Sequence, residues 1–277
     1  MIINNLKGTV QLANGVEMPY FGLGVFKTLE GTEVENSVKW ALESGYRHID
    51  TAAIYKNEKG VGNAVKSSGI PRNELFLTTK VWNENQRNGT VLEGFKESLK
   101  LLQTDYVDLY LIHWPVKEKY NKTWKVMEEI YRSGRARAIG VSNFLQHHLE
   151  DLISIAEIIP MVNQVECHPY LVQQPLIDFC QSRNIVYEAW SPIMRGKVND
   201  IPLFIELSGK YRKTPVQIVL RWDLQKGVVT IPKSVHKERI KSNADVFDFE
   251  LSDEDIRRID ALDKNERFGS HPDTFTF

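Results

Sequence analysis

The chain has 277 residues, 42% hydrophobic and 26% charged. That is enough apolar surface for a large core, in a length that a single α/β barrel routinely fills. Its 35 basic and 36 acidic residues leave a net charge of −1, which excludes a protein that grips nucleic acid by a sequence-independent electrostatic attraction.

Several further classes fall away on inspection. Cys167 and Cys180 alone cannot build a disulfide framework. No run approaches the ~18 apolar residues of a membrane span. Met1-Ile2-Ile3-Asn4-Asn5 has neither the basic nor the apolar part of a secretory signal. The expected compartment is the cytoplasm, with no nucleic-acid or membrane partner.

In chain order, Gly8–Leu12 and Val16–Met18, separated by Ala13-Asn14-Gly15, read as a hairpin whose Asn-Gly pair supplies the positive φ angles of a tight turn. Eight short β-type runs then alternate with longer segments of helical period. The strands are expected at Phe21–Val25, Tyr46–Asp50, Leu75–Lys80, Val107–His113, Ala136–Val141, Val162–Glu166, Ile185–Trp190 and Val228–Pro232. Val34, Val38, Ala41 and Leu42 mark one helix face, and Val91, Phe95, Leu99 and Leu102 another. Trp124, Met127, Ile130 and Tyr131 form a third stripe, and Val216, Val219 and Leu220 a fourth. Gly45, Gly134 and Gly227 punctuate the units. Two more helical stretches, His236–Ala244 and Ser252–Leu262, follow the last strand.

Without a Ser/Gly/Pro-rich linker, residues 1–277 are expected to form one domain. Eight βα units in an unbroken chain predict a closed (β/α)₈ TIM barrel of the α/β class, preceded by a hairpin and followed by an extra C-terminal helix and a short tail. The competing open, doubly wound sheet is usually announced by a Gly-rich fingerprint. Gly22-Leu23-Gly24-Val25-Phe26-Lys27 lacks the third glycine and leads into a loop.

In such a barrel the C-terminal strand ends share one face and build the active site. Here those ends are polar: Asp50, Lys80, His113, Ser142-Asn143, Gln164 with Glu166, Trp190-Ser191 and Lys233-Ser234. A phenol with a pKa of about 10 is a poor acid near neutrality. An ammonium beside it favours the phenolate, and a carboxylate behind the lysine keeps it charged and aimed. Asp50, Lys80 and His113 together with Tyr55 are therefore a means of making a tyrosine into a proton donor. No Gly-x-Ser-x-Gly and no His-Glu-x-x-His occurs. Asp50, Glu166 and His168 lack a second histidine pair that would make them a metal set, and no metal is expected. Ser234 is also placed to cap the helix that follows it.

The chain resembles the aldo-keto reductase family over nearly its whole length. The matching blocks begin with Gly45-Tyr46-Arg47-His48-Ile49-Asp50-Thr51-Ala52-Ala53-Ile54-Tyr55, Thr79-Lys80-Val81-Trp82 and Asp105 through Pro115. They continue with Ile139-Gly140-Val141-Ser142-Asn143-Phe144 and Asn163 through Tyr170, and close with Ala189-Trp190-Ser191-Pro192 and Ile231-Pro232-Lys233-Ser234. The likeness is greatest to the bacterial branch of glyoxal, methylglyoxal and diketo-gluconate reductases.

The resemblance implies NADPH-dependent reduction of small aldehydes and ketones by a monomer. Tyr55 matches the proton donor, Lys80 its ammonium, Asp50 the paired carboxylate and His113 the group orienting the carbonyl. Ser142, Asn143 and Gln164 match contacts to the nicotinamide carboxamide, Trp190 the stacking aromatic, and Ser191 and Ile193 contacts to the pyrophosphate. Lys233, Ser234 and Arg239 match a clamp on the 2′-phosphate and Asn243 an adenine contact; Gly24, Val25 and Val235 complete the cofactor set. Phe26, Ile54, Trp82 and Trp114, with His113, match the substrate pocket.

Val25, Trp190 and Ser242 stand where many members have Thr, Tyr and Glu, and Met194-Arg195 replaces the usual small residues of its loop. The short tail after Leu262 implies an open pocket with loose specificity. The alternative is an NADPH-binding, redox-sensing regulatory subunit on the same barrel, against which the intact quartet of Asp50, Tyr55, Lys80 and His113 speaks.

Overall fold

The computed structural model describes residues 3–277; of the N-terminal segment Met1–Asn5, the first two residues lie outside it. A hairpin of β1 (Thr9–Gln11) and β2 (Glu17–Pro19) comes first. Only Gly15 takes a positive φ, 85°, and Asn14 does not. The loop is one residue longer than an Asn-Gly two-residue turn: the Gly15 amide donates to the Leu12 carbonyl, and the Leu12 amide to that of Val16. Asn14 instead donates its side-chain amide to the Arg137 carbonyl, which ties the hairpin to the N-terminal end of the barrel.

The barrel strands are β3 (Gly22–Gly24), β4 (His48–Asp50), β5 (Phe76–Val81), β6 (Val107–Ile112), β7 (Ala136–Ser142), β8 (Val162–Glu166), β9 (Val186–Trp190) and β10 (Val229–Thr230). They pair in parallel in sequence order from β3 to β10. Parallel bridges from Phe21 to Thr230 and from Gly24 to Lys233 bring the two edges together, with the Gly24 amide donating to the Pro232 carbonyl at 3.2 Å. A Cβ on Gly24 would lie 2.9 Å from the Ile231 carbonyl oxygen, so barrel closure itself requires glycine there.

Strands buried on both faces read as near-continuous apolar runs, and β6 is buried at every position. Around them lie α1 (Thr32–Glu43), α2 (Glu58–Ser67), α3 (Asn83–Asn88), α4 (Val91–Leu102), α5 (Tyr120–Arg132) and α6 (Gln146–Ile155). The ring continues through α7 (Gln174–Ser182), α8 (Pro202–Tyr211), α9 (Pro215–Gln225), α10 (Lys237–Asn243) and α11 (Asp253–Asp260). The stripes at Val34, Val38, Ala41 and Leu42 and at Val91, Phe95, Leu99 and Leu102 are the buried faces of α1 and α4. Thr214 and Gln217 cap α9 reciprocally, with Pro215 in its first turn. Gly45, Gly134 and Gly227 all take positive φ. No helix among the described residues is long and apolar enough to cross a membrane.

Residues 263–277 run across the C-terminal face of the barrel. The amides of Phe268 and Gly269 donate to Glu166 at the end of β8. At the far side, the Phe277 oxygen accepts from Asn83 Nδ2 at 3.0 Å and from Arg87 at 2.7 Å.

Candidate active site

Alternation along the strands aims His48 and Asp50 of β4, Thr78 and Lys80 of β5, Gln164 of β8 and Glu188 of β9 into the barrel. Lys80 is fully buried. Its Nζ donates to Asp50 Oδ1 at 2.7 Å, Asp50 Oδ2 at 2.8 Å and the Thr51 carbonyl at 2.9 Å, which uses all three ammonium protons. Asp50 Oδ2 also accepts from Gln164 Nε2 at 2.8 Å. Burial penalises both charges, but this complement of partners keeps the pair ionised. Against that burial, Asp50 first and then Tyr55 and Glu188 hold the ammonium above the ordinary lysine range.

Tyr55 ends a 3₁₀ turn, Ala53–Tyr55, just beyond β4. The Lys80 Nζ lies 5.2 Å from its ring centre, and the rings of Phe26 and His113 stand 5.0 and 5.6 Å away. Lys80 acts on the phenol in the expected direction, lowering its pKa, but the net shift is upward. Burial pushes Tyr55 up to about 12; Lys80 pulls against that rise, and Asp50 and Glu188 add to it. Desolvation is the largest influence, and Asp50 opposes part of the cation's field. The Tyr55 proton therefore stays in place throughout the neutral range.

His113 is pulled well below the ordinary histidine range, by burial first and then by Lys80. It is neutral, and its Nδ1 has no partner among the described residues.

The residues expected to meet a nicotinamide line the strand ends beside this cluster. Asn143, at φ 63°, donates from Nδ2 to the His113 carbonyl (2.9 Å) and to Ser142 Oγ (3.2 Å), and its Oδ1 accepts from Trp190 Nε1 at 2.9 Å. Its amide thus braces His113 and Trp190. Gln164 spends its NH₂ on Asp50 and Glu188. Ser191 also has a positive φ, 57°, as do Lys27, Lys56, Met194 and Arg195 in the loops after β3, β4 and β9, a backbone conformation that L-residues rarely adopt. Ser191, Ile193 and Trp190 are half-buried, whereas Val25 is fully buried.

Lys233 is half-buried and Arg239 exposed, neither has a carboxylate partner among the described residues, and Ser234 is buried. The Ser234 hydroxyl accepts from the His236 amide at 3.2 Å. It closes a turn and does not cap α10, which starts at Lys237 without a side-chain cap. Val235 is half-buried and Asn243 buried.

Phe26 is 51% exposed, Trp114 is buried, and Ile54 and Trp82 are half-buried around the Tyr55–His113 pair. The Trp82 ring stands 5.3 Å from His113. The last residues of the chain reach the expected pocket aromatics. Phe277 stacks on Trp82 at 5.8 Å and meets Trp114 edge-on at 5.2 Å, and Phe275 lies 5.0 Å from Trp114. Phe275 and Phe277 thus pack on Trp82 and Trp114, while Phe26 and Phe277 stay exposed to solvent.

Glu166 pairs with His168 at 3.2 Å and anchors the tail, while Asp50 is committed to Lys80, so these three residues do not converge. Sequence reasoning missed Phe275 and Phe277, which carry no strand or helix signal. It also missed Glu188, whose signal is an acid inside an apolar strand, two residues before Trp190.

The aldo/keto reductase family model matches residues 8–264. A glyoxal reductase of Bacillus subtilis (strain 168) is 58% identical over 273 residues, 99% of each chain. The methylglyoxal reductase DkgA of Escherichia coli K12 is 45% identical over 270 residues, 96% of this chain and 97% of that one. A Bombyx mori aldo-keto reductase solved in complex with NADP is 38% identical, with a TM-score of 0.89, covering 98% of this chain and 97% of that one. The chain belongs to the aldo/keto reductase family, and it is an oxidoreductase.

Proposed function

We propose that the protein reduces small aldehydes and ketones of the glyoxal and methylglyoxal type with NADPH, as a single-domain monomer in the cytoplasm. The observation that carries the reading is the Lys80 ammonium held by both Asp50 oxygens beneath Tyr55, with neutral His113 opposite. The B. subtilis and E. coli relatives that carry glyoxal and methylglyoxal reductase names support the substrate class, and the NADP complex of the silkworm relative supports the cofactor.

The residues present fit that cofactor. Lys233 and Arg239 carry no carboxylate partner among the described residues, so both charges, with the neighbouring Ser234 hydroxyl, are free to meet a phosphate dianion, which a ribose hydroxyl would not need. Trp190 is half-buried, locked by Asn143 as a flat wall. The Ser142 hydroxyl proton and Gln164 Oε1 have no partner within the described chain. Lys233, Ser234 and Arg239 would hold the 2′-phosphate, Asn243 and Val235 the adenosine, and Ser191 and Ile193 the pyrophosphate, with Gly24 and Val25 shaping the floor. When bound, NADPH supplies the hydride for the carbonyl carbon.

The chain's own residues do the rest. Phe26, Ile54, Trp82 and Trp114 enclose the carbonyl group in an apolar wall. Neutral His113 orients the carbonyl oxygen toward Tyr55 and has no second proton to give. Tyr55 donates its proton to the oxygen; a phenol at about 12 is still a much stronger acid than an alcohol, so the transfer to a developing alkoxide is downhill. Lys80 steadies the phenolate that results. Placing these groups in advance is orientation catalysis.

The test is loss of NADPH absorbance across a panel of carbonyls ranked by kcat/KM. Tight NADPH binding with no turnover of any member would favour the regulatory reading instead.

A further inference from the structure

Beneath the Asp50–Lys80 pair the barrel holds a second carboxyl group to which the reduction just described gives no part. Glu188 Oε2 accepts from Gln164 Nε2 at 2.9 Å, and the same nitrogen donates to Asp50 Oδ2 at 2.8 Å. One side-chain NH₂ thus bridges two carboxyl groups. Glu188 is fully buried, and its Oε1 has no hydrogen-bond partner.

Among the described residues no lysine or arginine pairs with Glu188. His48 Nε2 lies 3.7 Å from Oε1 and 3.1 Å from Thr78 Oγ1. Burial above all holds the His48 imidazole neutral, down to about 3. Lys80 has all three protons on Asp50 and Thr51. β3 and β10 bring no titratable side chain. On β6, Asp108 is paired with Arg72 and Arg137 on the other side of the sheet, and Tyr110 packs on Phe95 of α4. Arg137 is the only titratable residue of β7.

A carboxylate left in such a place is uncompensated, and the group keeps its proton instead. With Glu188 neutral, the charges of Asp50 and Lys80 cancel. With Glu188 ionised, one surplus negative charge sits behind Gln164. As the stronger acceptor it draws the bridging amide away from Asp50, and its charge makes the Tyr55 phenol a weaker donor.

We propose that Glu188 is a positioning residue that works as the neutral acid: protonated, it holds the Gln164 amide against Asp50 and so fixes the Lys80–Asp50 pair under Tyr55, and its ionisation ends the reduction on the alkaline side. The inference rests on the reductase reading. Burial first, then the charge of Asp50, keeps the proton on Glu188 against the pull of Gln164 and Lys80, so that it is lost only at about pH 8.

The test is kcat and KM for methylglyoxal reduction from pH 6 to 10 in the wild type, Glu188→Gln and Glu188→Leu. Wild-type kcat should fall about tenfold per pH unit above the inflection near 8, with KM little changed. Glu188→Gln keeps an acceptor for the Gln164 amide and cannot ionise. It should rescue kcat at pH 6.5 to within about threefold of wild type, with the alkaline fall displaced upward by at least about one unit. Glu188→Leu offers no acceptor and should lose roughly tenfold at every pH, without the limb near 8.

A wild-type limb persisting in Glu188→Gln overturns the inference, as does equal behaviour of the Gln and Leu variants. ¹³C NMR of the enzyme with bound NADP, labelled at glutamate carboxyls, should show a carboxyl that titrates near pH 8 and is missing from Glu188→Gln, which separates it from Glu58, also raised by burial. If every glutamate titrates in the ordinary range, the proposal is wrong. Should the wild type reduce no carbonyl at all, the reductase reading fails, while the NMR titration still decides the state of Glu188.

Discussion

Replacing Lys80 by methionine removes the ammonium from under Tyr55 while keeping a side chain of similar length. The Nζ lies 5.2 Å from the phenol ring centre. At an effective dielectric of about 20, a unit charge at that distance is worth about 3 kcal/mol, or roughly two pK units at about 1.4 kcal/mol each. The phenol, already at about 12, would rise further. Asp50 moderates the loss: fully buried and stripped of its counter-ion, it takes up a proton, and its opposing field disappears with that of Lys80. The net expectation is a fall in kcat of roughly 10–100-fold at pH 7. KM for the carbonyl should change little, because Lys80 lies behind Tyr55 and reaches none of the pocket aromatics. Lys80→Arg should rescue poorly, since a planar guanidinium cannot occupy a fully buried point-charge position bounded by three acceptors. The assay is a pH–rate profile for both variants beside a fluorescence titration of NADPH. Wild-type kcat in Lys80→Met would take the lysine out of the mechanism, and a loss confined to cofactor affinity would make it a binding residue.

Tyr55→Phe should cost at least about a hundredfold in kcat and leave NADPH affinity unchanged, since the variant lacks only a hydroxyl; a smaller loss in a steady-state assay would show that Tyr55 is not the acid. Arg239→Ala should weaken NADPH binding about tenfold or more, the worth of one charge-assisted hydrogen bond, with NADH nearly unaffected; equal losses by calorimetry would remove Arg239 from the phosphate clamp. Phe277→Ala takes away a ring stacked on Trp82 and edge-on to Trp114, each such pair being worth about 0.5–1.5 kcal/mol. KM for apolar carbonyls should rise by about fivefold or more with kcat little changed, and unchanged KM would mean the tail is no part of the pocket. Glu188 should also mark the stability curve: its carboxyl titrates higher in the folded barrel than in the unfolded chain, so the unfolded chain loses the proton first. The stability it contributes is full below its ordinary 4.5 and is lost as pH rises through about 8. Thermal melts should show Glu188→Gln losing less Tm than the wild type between pH 5 and 9.

The quartet was legible because of where a parallel barrel puts its polar residues. Strands buried on both faces are apolar along their length, so an Asp, Lys or His closing such a run stands out, and the C-terminal face collects all of them. Strand ends were less legible. Tyr46 and Leu75 are buried and apolar but lie outside β4 and β5. Tyr46 instead donates its hydroxyl to the Ile240 carbonyl on α10, a contact 194 residues away. The tail was illegible for the same reason: Phe277 meets Asn83 across 194 residues, and nothing periodic in Thr274-Phe275-Thr276-Phe277 says which face it will cross.

The sign of the Tyr55 shift depends on a quantity that no residue list contains. Lysine next to tyrosine implies a lowered phenol only if the lysine's charge is unspent and the site is wet. Here Asp50 takes two of its three protons, and the desolvation of the half-buried Tyr55 outweighs what remains of the cation's pull. Glu188 lies between these cases. Its in-facing register is fixed by Trp190 two residues on, so its burial was open to inference from the sequence. That it shares one amide with Asp50 follows only from the pairing of β8 with β9, which sets Gln164 directly opposite Glu188. Shifting that pairing by one residue would turn Glu188 out of the barrel, so the register that closes the fold is also what fixes the charge state of the layer beneath Lys80.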